Sequence, residues 1–127
     1  MIKRTRSDTL NGLVDLMSAA LNAAPWFDAP VLLLYGERDE IVPREPMARF
    51  VAALPARARH RERVALYPKG YHMLLRDLGA AAPIGDIAAW IGGSAAALPS
   101  GADDDARRRL TAEAERVATV PTTARVE

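Results

Sequence analysis

Residues 30 to 43 read Pro-Val-Leu-Leu-Leu-Tyr-Gly-Glu-Arg-Asp-Glu-Ile-Val-Pro. Five apolar residues, Val31 to Tyr35, run without a polar interruption, so both faces of the strand they form should be covered. That is the pattern of a strand in a parallel sheet flanked by helices, and it predicts an α/β fold. Gly36 lets the chain break sharply off the strand. A short acidic loop follows, and Pro43 opens the next helix. In open sheets of this kind functional groups gather just past the carboxyl ends of the strands, which is where Asp39 falls.

A second apolar run, Val64 to Tyr67, leads into Pro68-Lys69-Gly70-Tyr71-His72. Gly36-Glu37-Arg38-Asp39-Glu40-Ile41-Val42-Pro43 resembles the catalytic-acid loop of α/β-hydrolases, in the monoacylglycerol lipase and lysophospholipase (serine aminopeptidase-like) branch. Leu66 to His72 resembles the last core strand and histidine loop of the same family. The resemblance implies Asp39 as the catalytic acid and His72 as the general base, in the family's order of serine, acid, histidine. Each residue also has a plainer reading. Asp39 serves equally as a turn and cap residue, and His72 as a loop histidine with one satisfied nitrogen. Glu37 and Glu40 flank Asp39 as solvated acids, with Glu40 the fallback if Asp39 points away.

The chain has 127 residues, enough for one ordinary domain. Its formal net charge of +1 gives no argument for a nucleic-acid partner. Without cysteine there are no disulfides and no thiolate chemistry. With only His60 and His72, and no His-Glu-x-x-His, a zinc enzyme has no support and no cofactor is expected. The basic amino terminus precedes a segment broken by Asp8, Asn11, Asp15 and Asn22, so a signal peptide is not expected. No apolar run reaches membrane-spanning length. The expectation is a soluble, cytoplasmic protein, and the heavy use of Ala and Arg suggests a bacterial source.

Taken in order, Ser7 and Asp8 are good caps for a helix over about 9–23. Leu10, Leu13, Val14, Met17, Leu21 and Ala24 form its apolar stripe, read as core packing. Pro25 ends it, and Trp26 and Phe27 follow, near a lid or simply buried. A helix over 44–54 should turn Met47, Phe50, Val51 and Leu54 inward, with Pro46 tolerated in its first turn. Residues 56–63 read as a basic, solvated connection to the second strand. Strand, helix and strand then make one parallel βαβ unit. A short helix over 73–78 and a closing helix over 84–91 follow, the latter with Ile84, Ile87, Ala88, Trp90 and Ile91 apolar and ended by Gly92-Gly93. Residues 93–127 read as a linker, a marginal helix over about 104–118 with only Leu110 and Val117 as large apolar residues, and a disordered end from Pro121. Thus residues 1–92 form the partial hydrolase domain and 93–127 a tail.

Histidine and acid need a serine to activate. The four serines are Ser7, Ser18, Ser94 and Ser100, and none lies in Gly-x-Ser-x-Gly. Ser94 follows Gly92-Gly93, but Ala96 stands where the last glycine belongs. The oxyanion segment is missing too. By resemblance the sequence corresponds to the carboxyl-terminal part of a serine hydrolase acting on carboxylic esters of lipid-like or small acyl substrates, and is expected to be inactive alone. Two apolar strands also make an incomplete sheet with an open edge. The alternative function is therefore a non-catalytic interaction module that self-associates or takes up a complementing amino-terminal half.

Overall fold

The computed structural model describes residues 7–58 and 61–119. The basic start, His60 and the end read as disordered lie outside them. Helix α1 (Ser7–Ala23) leads through a 3₁₀ turn (Ala24–Trp26) to strand β1 (Val31–Gly36). Helix α2 (Arg44–Ala53) and a second 3₁₀ turn precede strand β2 (Glu62–Tyr67). A third 3₁₀ turn (Leu74–Arg76), helix α3 (Ala81–Gly92) and helix α4 (Ala106–Thr119) complete the chain. β1 and β2 pair in parallel, from Val31 opposite Glu62 to Gly36 opposite Tyr67. This is a mixed α/β fold with an open sheet, consistent with part of an α/β-hydrolase. No helix among the described residues is long and apolar enough to cross a membrane.

Alternation along the two strands divides the side chains between two cores. Tyr35, Val64 and Leu66 pack with Ala48 and Val51 of α2 and with Ala106 and Leu110 of α4. On the other face Ala65 and Tyr67 pack with Leu98, joined by Leu32, Leu34, Leu74 and Trp90. Both faces are thus covered, as the unbroken apolar run predicts. Coverage is nevertheless uneven: Val31 to Leu34 of β1 are only half-buried, whereas Val64 to Tyr67 of β2 are buried. Among the described residues β1 has a strand on one side only. The outer side of β2 is met at one point, where the Leu66 amide donates to the Ala102 carbonyl at 2.8 Å.

Several expectations change. The stripe of α1 does not enter the core: Leu10, Leu13 and Val14 are each more than half exposed. Ala24, in the 3₁₀ turn after α1, is buried, while α1 itself leaves a groove of about 420 Å³ lined by Met17, Leu21, Met47 and Phe50 among others. Its periodicity is real, but no described part of the chain covers that face. Trp26 is exposed as well. In α3 it is Pro83 and Asp86 that are buried, while Ile84 and Ile91 face outward.

The last helix departs in the opposite direction. Rather than docking loosely, α4 buries Ala106 and Leu110 completely between α2 and β2. Charged side chains add further ties between this helix and the rest of the chain. Arg107 pairs with Glu62 at the start of β2, Arg109 with Glu37, and Glu113 with Arg44. In the connection before β2, Ala56 and Arg57 are exposed as expected, and two arginines at its end find partners. Arg61 pairs with Asp28, and Arg63 reaches Asp103 and the Ser94 and Ala95 carbonyls.

Candidate acid–histidine site

Both candidate residues leave the same end of the sheet, one from each strand. Gly36 and Gly70 make that possible. A methyl group on Gly36 would lie 2.5 Å from the Gly70 carbonyl oxygen, and one on Gly70 would strike Leu74. The two turns therefore abut backbone to backbone, an approach a side chain would forbid. Hydrogen bonds lace them together. The Tyr67 carbonyl accepts from the amides of Glu37 (2.9 Å) and Gly70 (3.0 Å), and the Gly70 carbonyl accepts from Arg38 (2.9 Å). The Arg38 guanidinium lies 5.9 Å from the Tyr71 ring centroid, so the residues next to Asp39 and His72 also meet, by a cation–π contact.

Within this frame Asp39 divides its two oxygens. Oδ1 accepts the backbone amides of Ile41 (2.8 Å) and Val42 (2.9 Å), which closes the acid loop on itself. Oδ2 lies 2.9 Å from Nδ1 of His72. The plainer reading of Asp39 as a turn residue and the reading as a partner of histidine are both realised, by different atoms. The Tyr35 hydroxyl donates to the Val42 carbonyl at 2.8 Å and fixes the far end of the loop. Glu40 is exposed and the fallback role does not arise, since Asp39 faces His72. Glu37 is not a freely solvated acid: its Oε1 accepts from Arg44 and from Arg109.

Electrostatics follow from these contacts. Burial by itself pushes the Asp39 carboxyl up, but the Val42 amide, the His72 ring and the Ile41 amide outweigh it and hold the group below its ordinary range. Asp39 is therefore ionised at neutral pH and can only accept, so Nδ1 of His72 carries the proton and donates. In a neutral ring the lone pair then sits on Nε2. The Asp39 side chain is 6 % exposed and the His72 ring 42 % exposed, so the carboxylate is sheltered behind an imidazole that meets solvent. Such an arrangement can orient an imidazole, accept a proton at Nε2 and stabilise the resulting cation.

Sequence reading did not find a third group behind the site. Asp86 of α3 is fully buried. Its Oδ2 accepts from the Tyr67 hydroxyl (2.6 Å) and the Ser100 hydroxyl (2.5 Å), and its Oδ1 from the Ser100 amide (3.0 Å). Tyr67 ends β2, immediately before the histidine loop, and its hydroxyl is held protonated by burial and then by the neighbouring Asp86 carboxylate. The only sequence sign was an acid inside an otherwise apolar helix. No group of three or more His, Cys, Asp or Glu among the described residues could hold a metal ion.

Residues 1–79, which include both loops, match the family model described as serine aminopeptidase, S33. No curated protein and no solved structure matches the chain. With more than half of its length matched, and with the parallel strands and flanking helices described above, the chain belongs to the S33 serine aminopeptidase-like family of α/β-hydrolases.

Proposed function

We propose that the chain supplies the acid and the general base of a serine hydrolase that cleaves carboxylic esters of the monoacylglycerol or lysophospholipid kind. The observation that supports this reading above all others is the 2.9 Å contact between Asp39 Oδ2 and His72 Nδ1. Asp39 holds the imidazole in the tautomer with Nε2 unprotonated. Nε2 takes the proton of a serine hydroxyl as the oxygen attacks the ester carbonyl, and returns it to the departing alkoxide. Neither the serine in its Gly-x-Ser-x-Gly turn nor an oxyanion segment is among these 127 residues, so both come from polypeptide outside them. These residues on their own are inert.

The test is complementation. An amino-terminal hydrolase segment bearing Gly-x-Ser-x-Gly is joined to, or co-expressed with, this chain. The complex is treated with a fluorophosphonate and assayed on monoacylglycerol, lysophospholipid and aminoacyl arylamide substrates. Labelling and ester cleavage that vanish in His72→Ala and Asp39→Ala are expected. Labelling of these residues alone, or a complemented enzyme indifferent to both substitutions, overturns the proposal.

A second reading is a non-catalytic module that associates through its sheet. It is favoured by the unpaired outer side of β1 among the described residues and by the exposed stripe of α1. Sedimentation of the purified chain tests its self-association: a monomer at all concentrations removes that form of the reading.

A further inference from the structure

We infer that α4 is a latch for the acid loop, with Glu37 and Arg109 acting as positioning residues for Asp39; the inference rests on the acid–histidine reading for its functional meaning. The segment lies beyond residue 79, where the family match ends. Glu37 stands two residues before Asp39 and is the first residue after β1. Its Oε1 is gripped from two elements at once, by Arg44 of α2 at 2.5 Å and by Arg109 of α4 at 2.6 Å. Arg44 in turn is held by Glu113 of α4 at 2.5 Å. Four charges alternate in sign around one loop base, and the Glu37 side chain is only 15 % exposed. A network of this kind, partly sheltered and charge-assisted at each contact, holds geometry better than isolated surface pairs do.

The latch has a rigid anchor. Leu110 and Ala106 are fully buried in the core shared by β1, β2 and α2, so α4 cannot drift without opening that core. Upstream of α4, Ser100 is tied to Asp86, Asp103 to Arg63, and Ala102 to the outer side of β2. Two of these ties run from the segment after residue 93 to β2, the strand that leads into the histidine loop, and the third runs to α3. Arg109 sits one helical position from Leu110, so the side chain that grips Glu37 projects from a fixed backbone. The geometry therefore makes the place of Asp39 depend on a helix some seventy residues further along the chain.

Hydrogen exchange on the whole chain tests this. The amides of Ile41 and Val42, bonded to Asp39 Oδ1, report the acid loop, while the Leu66 amide, bonded to Ala102, reports β2 and the segment before α4. Arg109→Gln is expected to speed exchange at Ile41 and Val42 by about fivefold and to leave Leu66 unchanged, with Arg109→Lys restoring most of the protection. Glu37→Gln should do the same more strongly. If Glu37→Gln does not fold, Arg109→Gln decides. Equal acceleration at all three amides, or none at Ile41 and Val42, overturns the latch. The acid–histidine reading fails separately, if the His72 Nδ1 proton resonance is unaltered by Asp39→Asn in the otherwise intact chain.

Discussion

Oδ2 of Asp39 faces Nδ1 of His72 across 2.9 Å while Oδ1 of the same carboxylate caps the amides of Ile41 and Val42. One side chain thus builds the loop and orients the imidazole. The two jobs separate by substitution. Asparagine keeps a carbonyl oxygen for the amides, so Asp39→Asn should cost less than about 0.5 kcal/mol, whereas Asp39→Ala loses the cap and should cost about 1–2 kcal/mol. Both should remove the hydrogen-bonded Nδ1 proton of His72. Denaturant melts and nitrogen-15 spectra of the histidines check this; equal stabilities for the two variants would refute the division of labour.

Acid should weaken the fold through the same carboxylate. Asp39 is held below its ordinary value of 3.8 in the folded chain. A group depressed on folding contributes fully above its unfolded value, and the contribution is lost as pH falls through that value towards the folded one. Stability measured from about pH 6 down to about pH 2 should therefore fall less steeply in Asp39→Asn than in the natural sequence. Parallel curves would mean that Asp39 is no better placed in the folded chain than in the unfolded one.

The buried Asp86 node gives a prediction of opposite signs. Removing the hydroxyl in Tyr67→Phe takes one donor from a carboxylate that keeps two from Ser100, at a cost of about 1–2 kcal/mol. Asp86→Ala leaves the Tyr67 and Ser100 donors without their acceptor and should cost about 3 kcal/mol. In that background Tyr67→Phe should be neutral or stabilising, because it removes a stranded buried hydroxyl. Additive costs in the double variant would show that the two groups do not act as a pair.

Crowding between the two turns predicts a further effect. Gly36→Ala places a methyl group 2.5 Å from the Gly70 carbonyl oxygen, a backbone atom that cannot swing aside. The loops must separate, at about 1–3 kcal/mol, and the Asp39–His72 contact should lengthen with them. Melting together with loss of the His72 Nδ1 proton signal checks both parts.

Much of this site was legible in the sequence. An apolar run, then glycine and an aspartate three residues on, together with a second apolar run, a Pro-Lys-Gly turn and a histidine, places both groups at one sheet end. That placement depends only on local pattern and parallel pairing. Asp86, Ser100 and the Arg109 partner of Glu37 were not legible, because the contacts Ser100–Asp86, Tyr67–Asp86 and Arg109–Glu37 join residues 14, 19 and 72 positions apart. Burial of charged groups follows from such long-range meetings and leaves no local period. The same limit explains the helices. Periodicity shows that a face is apolar, but not whether the chain supplies something to cover it.

The first and last helices turn that limit into a measurement. Leu13, in the clear apolar stripe of α1, is 55 % exposed, while Leu110, one of few large apolar residues in α4, is fully buried. Leu110→Ala should cost about 2–5 kcal/mol, since it empties the space between α2, α4 and the sheet. Leu13→Ala should change stability by less than about 0.5 kcal/mol, as surface substitutions do. Paired denaturant melts at low protein concentration make the comparison. Should Leu13→Ala cost as much as Leu110→Ala under those conditions, α1 must be packed against polypeptide even in the dilute chain, and its stripe would regain the core role that its periodicity suggests.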